Sequence, residues 1–160
     1  MANTAPIPIW RKIVHFFAFG FGSGKAPVAP GSFGTLVGIP AYLLLQPLSL
    51  LAYAAIVAGM FSIGVWFCHV TERDLGVHDY PGIVWDEIVG YLITMFMAPA
   101  GWQWIVLGFV LFRLFDIWKP FPIRALERRI QGGFGNMFDD ALAGIYSLLV
   151  LQGFAWLYHP

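Results

Sequence analysis

Charged residues are absent from three long stretches of the 160-residue chain. Asp, Glu, Lys and Arg are missing from Ala26–Thr71 (46 residues), Ile88–Phe112 (25 residues) and Ala141–Pro160 (20 residues). A helix needs about 20 apolar residues to cross the roughly 30 Å hydrocarbon core of a bilayer. Hydrophobic residues make up 59% of the chain and charged residues only 11%, so this partition indicates a membrane protein.

The longest charge-free stretch predicts two membrane crossings. Its 46 residues suffice for two helices, and we expect the turn between them near Gln46-Pro47, because proline interrupts a helix. Ala141–Tyr158 predicts a final crossing that ends in aromatic residues typical of the membrane interface.

The middle stretch is too short for two full crossings. Pro99–Gly101 divides it, so we predict a shallow hairpin of helices over about Val84–Ala98 and Trp102–Trp118; one long tilted span is the alternative. Ile7–Phe21 predicts a short amphipathic helix at the interface. The expected fold is therefore an all-α polytopic membrane protein, one domain over residues 1–160, with an interfacial N-terminal helix and about three to five membrane-embedded helices.

The charge distribution also predicts orientation. If both hairpins form, all charged segments lie on one side, and the opposite turns, Gln46–Ser49 and Pro99–Gly101, hold no Lys or Arg. The positive-inside rule then places the charged side in the cytoplasm, with the N-terminus inside and the C-terminus outside. Nine basic and nine acidic residues give no excess positive charge for nucleic-acid binding. A single cysteine, Cys68, excludes a disulfide framework and a thiolate zinc site.

The first charged segment contains a glycine-rich run, Gly20–Ser32, that includes Ser23 and Lys25. Alternating glycines let consecutive amide N–H groups converge on an anion, and Ser32 is a candidate cap for the next helix. The run is not a P-loop, because Phe19 and Ala26 stand where that motif needs Gly and Ser or Thr. A glycine-rich interfacial turn without function is the alternative.

The second segment ends in Asp86 and Glu87, which lead directly into an apolar helix. Two carboxylates at the edge of a hydrophobic span are costly if they face lipid, so we expect them to face a protein cavity. Carboxylate oxygens are the ligands that Mg²⁺ prefers. The alternative is that both acids only complement the helix dipole. His78, beside Asp79, is a weak candidate for proton transfer.

The third segment carries the most cations. Arg113 and Asp116 are three residues apart and can pair on one helical face. Lys119 precedes a proline, which favours a position at the end of the helix, near the membrane surface. Arg124, Arg128 and Arg129 follow on a short amphipathic stretch, where binding to anionic headgroups in general is the simpler interpretation; Arg124 is included among the candidate substrate-binding residues.

Asp139 and Asp140 complete the set of acids. Asp139 is a candidate N-cap for the last span, but two adjacent acids are more than capping requires. With Asp86, Glu87 and Asp116 they place five carboxylates at one membrane face. Five acids with neighbouring Lys and Arg residues favour a metal–phosphate site over a structural salt-bridge network.

Four motifs together resemble the phosphatidylglycerophosphatase A family of bacterial enzymes. The resemblance runs in order from about Phe19 to Gly144. The matching pairs of motifs are Gly22–Gly24 with Pro30–Ser32, Val77–Asp79 with Ile83–Glu87, Phe112–Arg113 with Asp116–Pro120, and Gly132–Gly133 with Asp139–Asp140.

The resemblance implies an all-helical, Mg²⁺-dependent enzyme of the bacterial cytoplasmic (inner) membrane that hydrolyses phosphatidylglycerophosphate to phosphatidylglycerol. A reaction of this kind needs a metal and cations, and metal-assisted attack by water is the simplest mechanism. The expected metal ligands are Asp86, Glu87, Asp139 and Asp140. The expected catalytic acids, one of which orients or deprotonates the water, are Asp79 and Asp116. The expected substrate-binding residues are Ser23, Lys25, Arg113, Lys119 and Arg124.

Two alternatives stay open at this point. A phosphoaspartyl intermediate is compatible with five acids. A non-catalytic lipid-binding or small membrane transport protein would use the same acids and bases as internal salt bridges. Metal-dependent phosphate release separates the enzyme from the non-catalytic protein.

Overall fold

The structure is a computed structural model that describes residues 7–158, and every regular element in that range is helical. This confirms the all-α prediction. The elements in chain order are α1 (Ile9–Ala18), a 3₁₀ segment (Gly20–Lys25), α2 (Pro30–Leu45), α3 (Leu50–Leu75), α4 (Trp85–Thr94), α5 (Trp102–Trp118), α6 (Ile123–Glu127) and α7 (Gly133–Tyr158).

Within residues 7–158, two helices are long and apolar enough to cross a membrane, α3 and α7, each with 26 residues. At about 1.5 Å per residue, each exceeds the roughly 30 Å hydrocarbon core. Large apolar side chains are exposed on both helices, including Leu51 and Leu149. Surfaces of this kind are suited to contact with lipid rather than water. The other helices have 17 residues or fewer, and α4 has only ten.

Several predicted helix boundaries are confirmed. The turn between α2 and α3 falls at residues 46–49, where the Ser49 hydroxyl accepts a hydrogen bond from the Ala52 amide (3.3 Å). Helix α5 has the predicted bounds. The chain also breaks between α4 and α5 at the predicted Pro99–Gly101, where Gly101 has a φ of 133°.

Three local expectations were wrong. Helix α4 ends at Thr94 rather than Ala98. Helix α2 is not capped by Ser32; Ala29, in the left-handed region, precedes Pro30, which suits the first helical turn. Helix α7 begins at Gly133, after the left-handed Gly132, so Asp139 lies inside the helix and is not its N-cap. The prediction placed the start of this helix at Asp139 because that residue is charged. A buried carboxylate can nevertheless lie inside a helix when it faces a charged or polar partner.

Helix α4 is at the centre of the bundle and packs against α2, α3, α5 and α7. It approaches α7 closely, because a Cβ atom on Gly144 would lie 2.5 Å from the Gly90 carbonyl oxygen. Only glycine permits backbones to approach this closely. The first turn of α4 therefore lies beside the acidic turn of α7, which contains Asp139 and Asp140.

Candidate active site

Three carboxylates from two helices form an acidic cluster, which consists of Asp86, Glu87 and Asp140. One oxygen atom from each lies within 4.8 Å of the others. Asp86 and Glu87 are in the first turn of α4, and Asp140 is in the second turn of α7. The close packing of these helices therefore brings together three of the four predicted metal ligands.

The acidic cluster is buried. Asp86 is 8% exposed and Asp140 is 5% exposed. Among residues 7–158, Glu87 Oε2 and Asp140 Oδ2 are buried oxygens without a hydrogen-bond partner. Burial, and then the neighbouring carboxylates, raise the pKa of Asp86 well above its usual value. Burial raises the pKa of Glu87 to about 8. Buried acids with unsatisfied oxygens favour a cation between them, because a cation offsets their repulsion and lost hydration.

Arg113 and Asp116 of α5 border the acidic cluster. The Arg113 Nη1 atom lies 2.6 Å from Asp116 Oδ2 and 4.0 Å from Glu87 Oε1. The Arg113 Nε atom is buried without a hydrogen-bond partner in the described chain, so this guanidinium has donor capacity to spare. The predicted pairing of Arg113 with Asp116 is confirmed.

The beginning of α2 closes the site on another side. A Cβ atom on Gly31 would lie 2.4 Å from Glu87 Oε1 and 3.0 Å from Arg113 Nη1. Glycine at this position therefore lets both side chains reach the helix backbone. This is the structural role of glycine within the Pro30–Ser32 segment.

Lys119 connects the acidic turn of α7 to α6. It ends α5 in the left-handed region (φ 46°), which directs the chain away from the helix. Its Nζ atom lies 2.6 Å from Asp139 Oδ2 and 2.5 Å from Glu127 Oε1. Burial acts to lower the pKa of Lys119, but these carboxylates outweigh burial and raise it, so the ammonium stays charged. Asp139 is thus engaged by Lys119 and is not part of the three-residue acidic cluster.

Four predicted site residues have other surroundings. The Ser23 hydroxyl donates to the Gly20 carbonyl (2.8 Å), and Lys25 is exposed. Asp79 is exposed in a loop. Arg124 is exposed and donates to the Trp118 carbonyl (3.1 Å). Within residues 7–158, no hydrogen bond or ion pair links these side chains to the acidic cluster.

Glu72, which is not among the predicted site residues, is the centre of a hydrogen-bond network. Its Oε1 atom accepts from the Asn136 side-chain amide (2.9 Å) and the Asp79 backbone amide (2.8 Å), and lies 3.1 Å from His78 Nδ1. Glu72 thereby ties the loop before α4 to α7. The sequence position of Glu72 could have indicated this role. It is the first charged residue after the longest charge-free stretch, and a carboxylate at such a position needs partners.

The sequence profile of the family described as phosphatidylglycerophosphatase A matches residues 16–155. The chain belongs to this family. The resemblance seen in the four motifs is thereby confirmed, and phosphatase is the enzyme class.

Relatives of the phosphatidylglycerophosphatase A family cover most of the chain. Phosphatidylglycerophosphatase A of Escherichia coli K12 is 46% identical over 145 residues, covering 89% of this chain and 84% of the relative. The protein of the same name from Haemophilus influenzae is 46% identical over 140 residues, covering 86% of each. A relative from Bacteroides thetaiotaomicron, 39% identical over 146 residues, covers 86% of this chain and 91% of its own; it is named for a phosphatidylinositol-3-phosphatase activity. No solved structure matches the chain.

Proposed function

We propose that the protein is a Mg²⁺-dependent phosphatase that hydrolyses phosphatidylglycerophosphate to phosphatidylglycerol and phosphate at the cytoplasmic face of the bacterial inner membrane. The observation that carries the proposal is the buried acidic cluster with two unsatisfied oxygens, bordered by Arg113 at one end of an apolar helical bundle. The names of the two relatives at 46% identity support the substrate.

The residues of the acidic cluster fit a divalent metal ion. Asp86, Glu87 and Asp140 would hold Mg²⁺, because it prefers carboxylate oxygens and keeps coordination positions for water and phosphate. Bound Mg²⁺ would supply positive charge to the phosphoryl group, which carries spread negative charge in the transition state. The unsatisfied oxygens of Glu87 and Asp140 are the structural reason to expect it.

The cations bordering the site would bind the phosphate group. Arg113 has unused donors and lies beside the cluster, so its guanidinium can hold phosphoryl oxygens with charge-assisted hydrogen bonds. Lys119, held by Asp139, provides a second fixed positive charge on the α7 side. Binding these oxygens in a buried site stabilises charge that develops as the ester bond breaks.

Asp116 is the better placed of the two predicted catalytic acids. It contacts Arg113 beside the cluster, whereas Asp79 is exposed in a loop. In the proposed step, a water oxygen attacks phosphorus, its proton passes to Asp116, and the bond from phosphorus to the glycerol oxygen breaks. The released glycerol oxygen takes up a proton and stays with the lipid. Attack by a carboxylate, giving a phosphoaspartyl intermediate, is the competing mechanism.

The position of the charges supports the proposed membrane placement. The beginnings of α2, α4 and α7 meet the end of α5 around the site, so the charged segments lie at one end of the bundle. We expect this end to face the cytoplasm by the positive-inside rule, with α2, α4 and α5 embedded beside the spanning helices α3 and α7. The acyl chains of the substrate would then stay in the bilayer.

The direct test is phosphate release by the detergent-purified protein from phosphatidylglycerophosphate and from phosphatidylinositol 3-phosphate, each with Mg²⁺ or with a chelator. We expect Mg²⁺-dependent release, faster from phosphatidylglycerophosphate. Faster release from the inositol lipid would overturn the substrate assignment. No release from either lipid would favour the non-catalytic lipid-binding or transport protein. A phosphorylated enzyme carboxylate trapped during turnover would contradict direct attack by water.

A further inference from the structure

A groove lies beside the candidate active site, between the end of α5 and helix α6. It has a volume of about 410 Å³ and is lined by Lys119, Pro120, Phe121, Arg124 and Arg128, among others. We infer that this basic groove binds the phosphodiester that links the substrate headgroup to its diacylglycerol, and so selects lipids that carry a phosphodiester next to the phosphomonoester. The inference rests on the proposed function.

The charge of the basic groove is not balanced by the protein. Arg124 and Arg128 are four residues apart, a spacing that places both on one side of the helical turn, and both are exposed. Within residues 7–158, neither forms an ion pair. Glu127 lies between them in sequence, but its carboxylate is engaged by Lys119 (2.5 Å). Two uncompensated guanidinium groups at one groove are suited to an external phosphate anion.

Lys119 joins the groove to the turn of α7 that carries Asp140 of the acidic cluster. Lys119 lines the groove, and its ammonium lies 2.6 Å from Asp139, the residue before Asp140 of the cluster. In this inference, a headgroup with two phosphates separated by one glycerol places its terminal phosphate at the cluster and its phosphodiester in the groove. A lipid with only a terminal phosphomonoester has no group for the second position.

The surroundings of the groove favour a lipid over a free anion. Trp118 and Phe121 form part of its lining, and both rings are largely exposed, at 60% and 85%. Aromatic side chains of this kind are enriched where headgroups meet the hydrocarbon core. The segment is held against α7, because the Tyr146 hydroxyl donates to the Phe121 carbonyl (3.1 Å). The glycerol and acyl chains of a lipid can therefore extend from the groove into the bilayer.

The test compares the double variant Arg124→Ala/Arg128→Ala with a control that removes the same charge elsewhere, Arg73→Ala/Arg129→Ala. The control arginines are exposed and do not line the groove. Four quantities are measured in neutral detergent: kcat and KM for phosphatidylglycerophosphate, the inhibition constant of inorganic phosphate, and the dissociation constant of short-chain phosphatidylglycerol, which has only the phosphodiester.

We expect the groove variant to raise KM and the dissociation constant of short-chain phosphatidylglycerol by about tenfold, the effect of losing charge-assisted hydrogen bonds. We expect kcat and phosphate inhibition to stay within about twofold of the control, since the groove arginines do not contact the acidic cluster. Thermal unfolding verifies that the variants fold. If the double variant does not fold, the single variant Arg128→Ala is measured instead, because it keeps the contact of Arg124 with Trp118.

Three results would overturn the inference. Equal changes in the groove and control variants would mean general attraction of anionic lipid. A matching rise in the inhibition constant of inorganic phosphate would mean that the groove takes free phosphate. A fall in kcat with unchanged KM would place the arginines at the reacting group. Failure of the proposed function is a separate result, in which the unmodified protein releases no phosphate. Binding of phosphatidylglycerol would still test the groove in that case, because it is measured without turnover.

Discussion

The substitution Gly31→Ala tests whether the close approach of α2 positions the catalytic groups. The new methyl group would lie 2.4 Å from Glu87 Oε1, whereas an ordinary contact is 3.4 Å or more, so the carboxylate must move by about 1 Å. Arg113 Nη1, at 3.0 Å, must also shift. A displacement of about 1 Å in an active site can reduce the rate by about 10²-fold.

The fold should tolerate Gly31→Ala. The obstructed atoms are the ends of flexible side chains, and alanine is favoured over glycine inside a helix by about 1 kcal/mol. We therefore expect an unchanged or higher Tm together with a kcat/KM about 10²-fold lower, measured as Mg²⁺-dependent phosphate release in detergent.

The matched control is Gly59→Ala in α3, where a Cβ atom would meet no atom within 4 Å. We expect this variant to keep full activity. Activity of Gly31→Ala within about threefold of the control would refute the reasoning, because a displacement of about 1 Å should reduce the rate by about 10²-fold. A loss of activity accompanied by a fall in Tm would mean that the helix, rather than the site, is disturbed.

Three further predictions concern the charged groups of the site. Asp86→Asn and Asp140→Asn should each lower kcat by about 10²–10³-fold or more with little loss of Tm, and near-normal turnover in both would remove them from the proposed ligand set. Burial raises the pKa of Glu87 to about 8, so a proton competes with the metal below that pH; Mg²⁺ affinity in calorimetry should rise from pH 6 to pH 8, and a flat profile would contradict this. Lys119→Met should lower both Tm and activity, because it leaves the buried Asp139 without its counter-ion. Lys119→Arg should restore part of the Tm. Equal Tm values for the two variants would argue against the ion pair.

The two pairs of adjacent acids differ in how their side chains are used. Adjacent side chains on a helix point about 100° apart, so Asp86 and Glu87 need not share a neighbour. Both nevertheless contribute an oxygen to the acidic cluster. Asp139 and Asp140 do diverge: Asp140 joins the cluster, and Asp139 pairs with Lys119. The sequence predicted that these acids lie at one membrane face, but not which of them meet.

The loops were less predictable than the helices. Ser23 and Lys25 belong to a motif that matches the family, yet the Ser23 hydroxyl is used within its own turn and Lys25 is exposed. Glu72 was overlooked because its partners, Asn136 and the amide of Asp79, are distant in sequence or belong to the backbone. Sequence spacing carries no information on such contacts until the packing of α3 against α7 is known.

The sequence by itself determined the all-helical fold, the placement of the breaks between helices, and the gathering of charge at one end of the bundle. The reason is that charges and prolines are costly inside an apolar helix, so their positions mark where helices begin and end. Only the tertiary structure decided which carboxylates share a site. That choice depends on the backbone contact of Gly90 with Gly144 and on the space left by Gly31, and both are properties of packed helix faces rather than of any one segment.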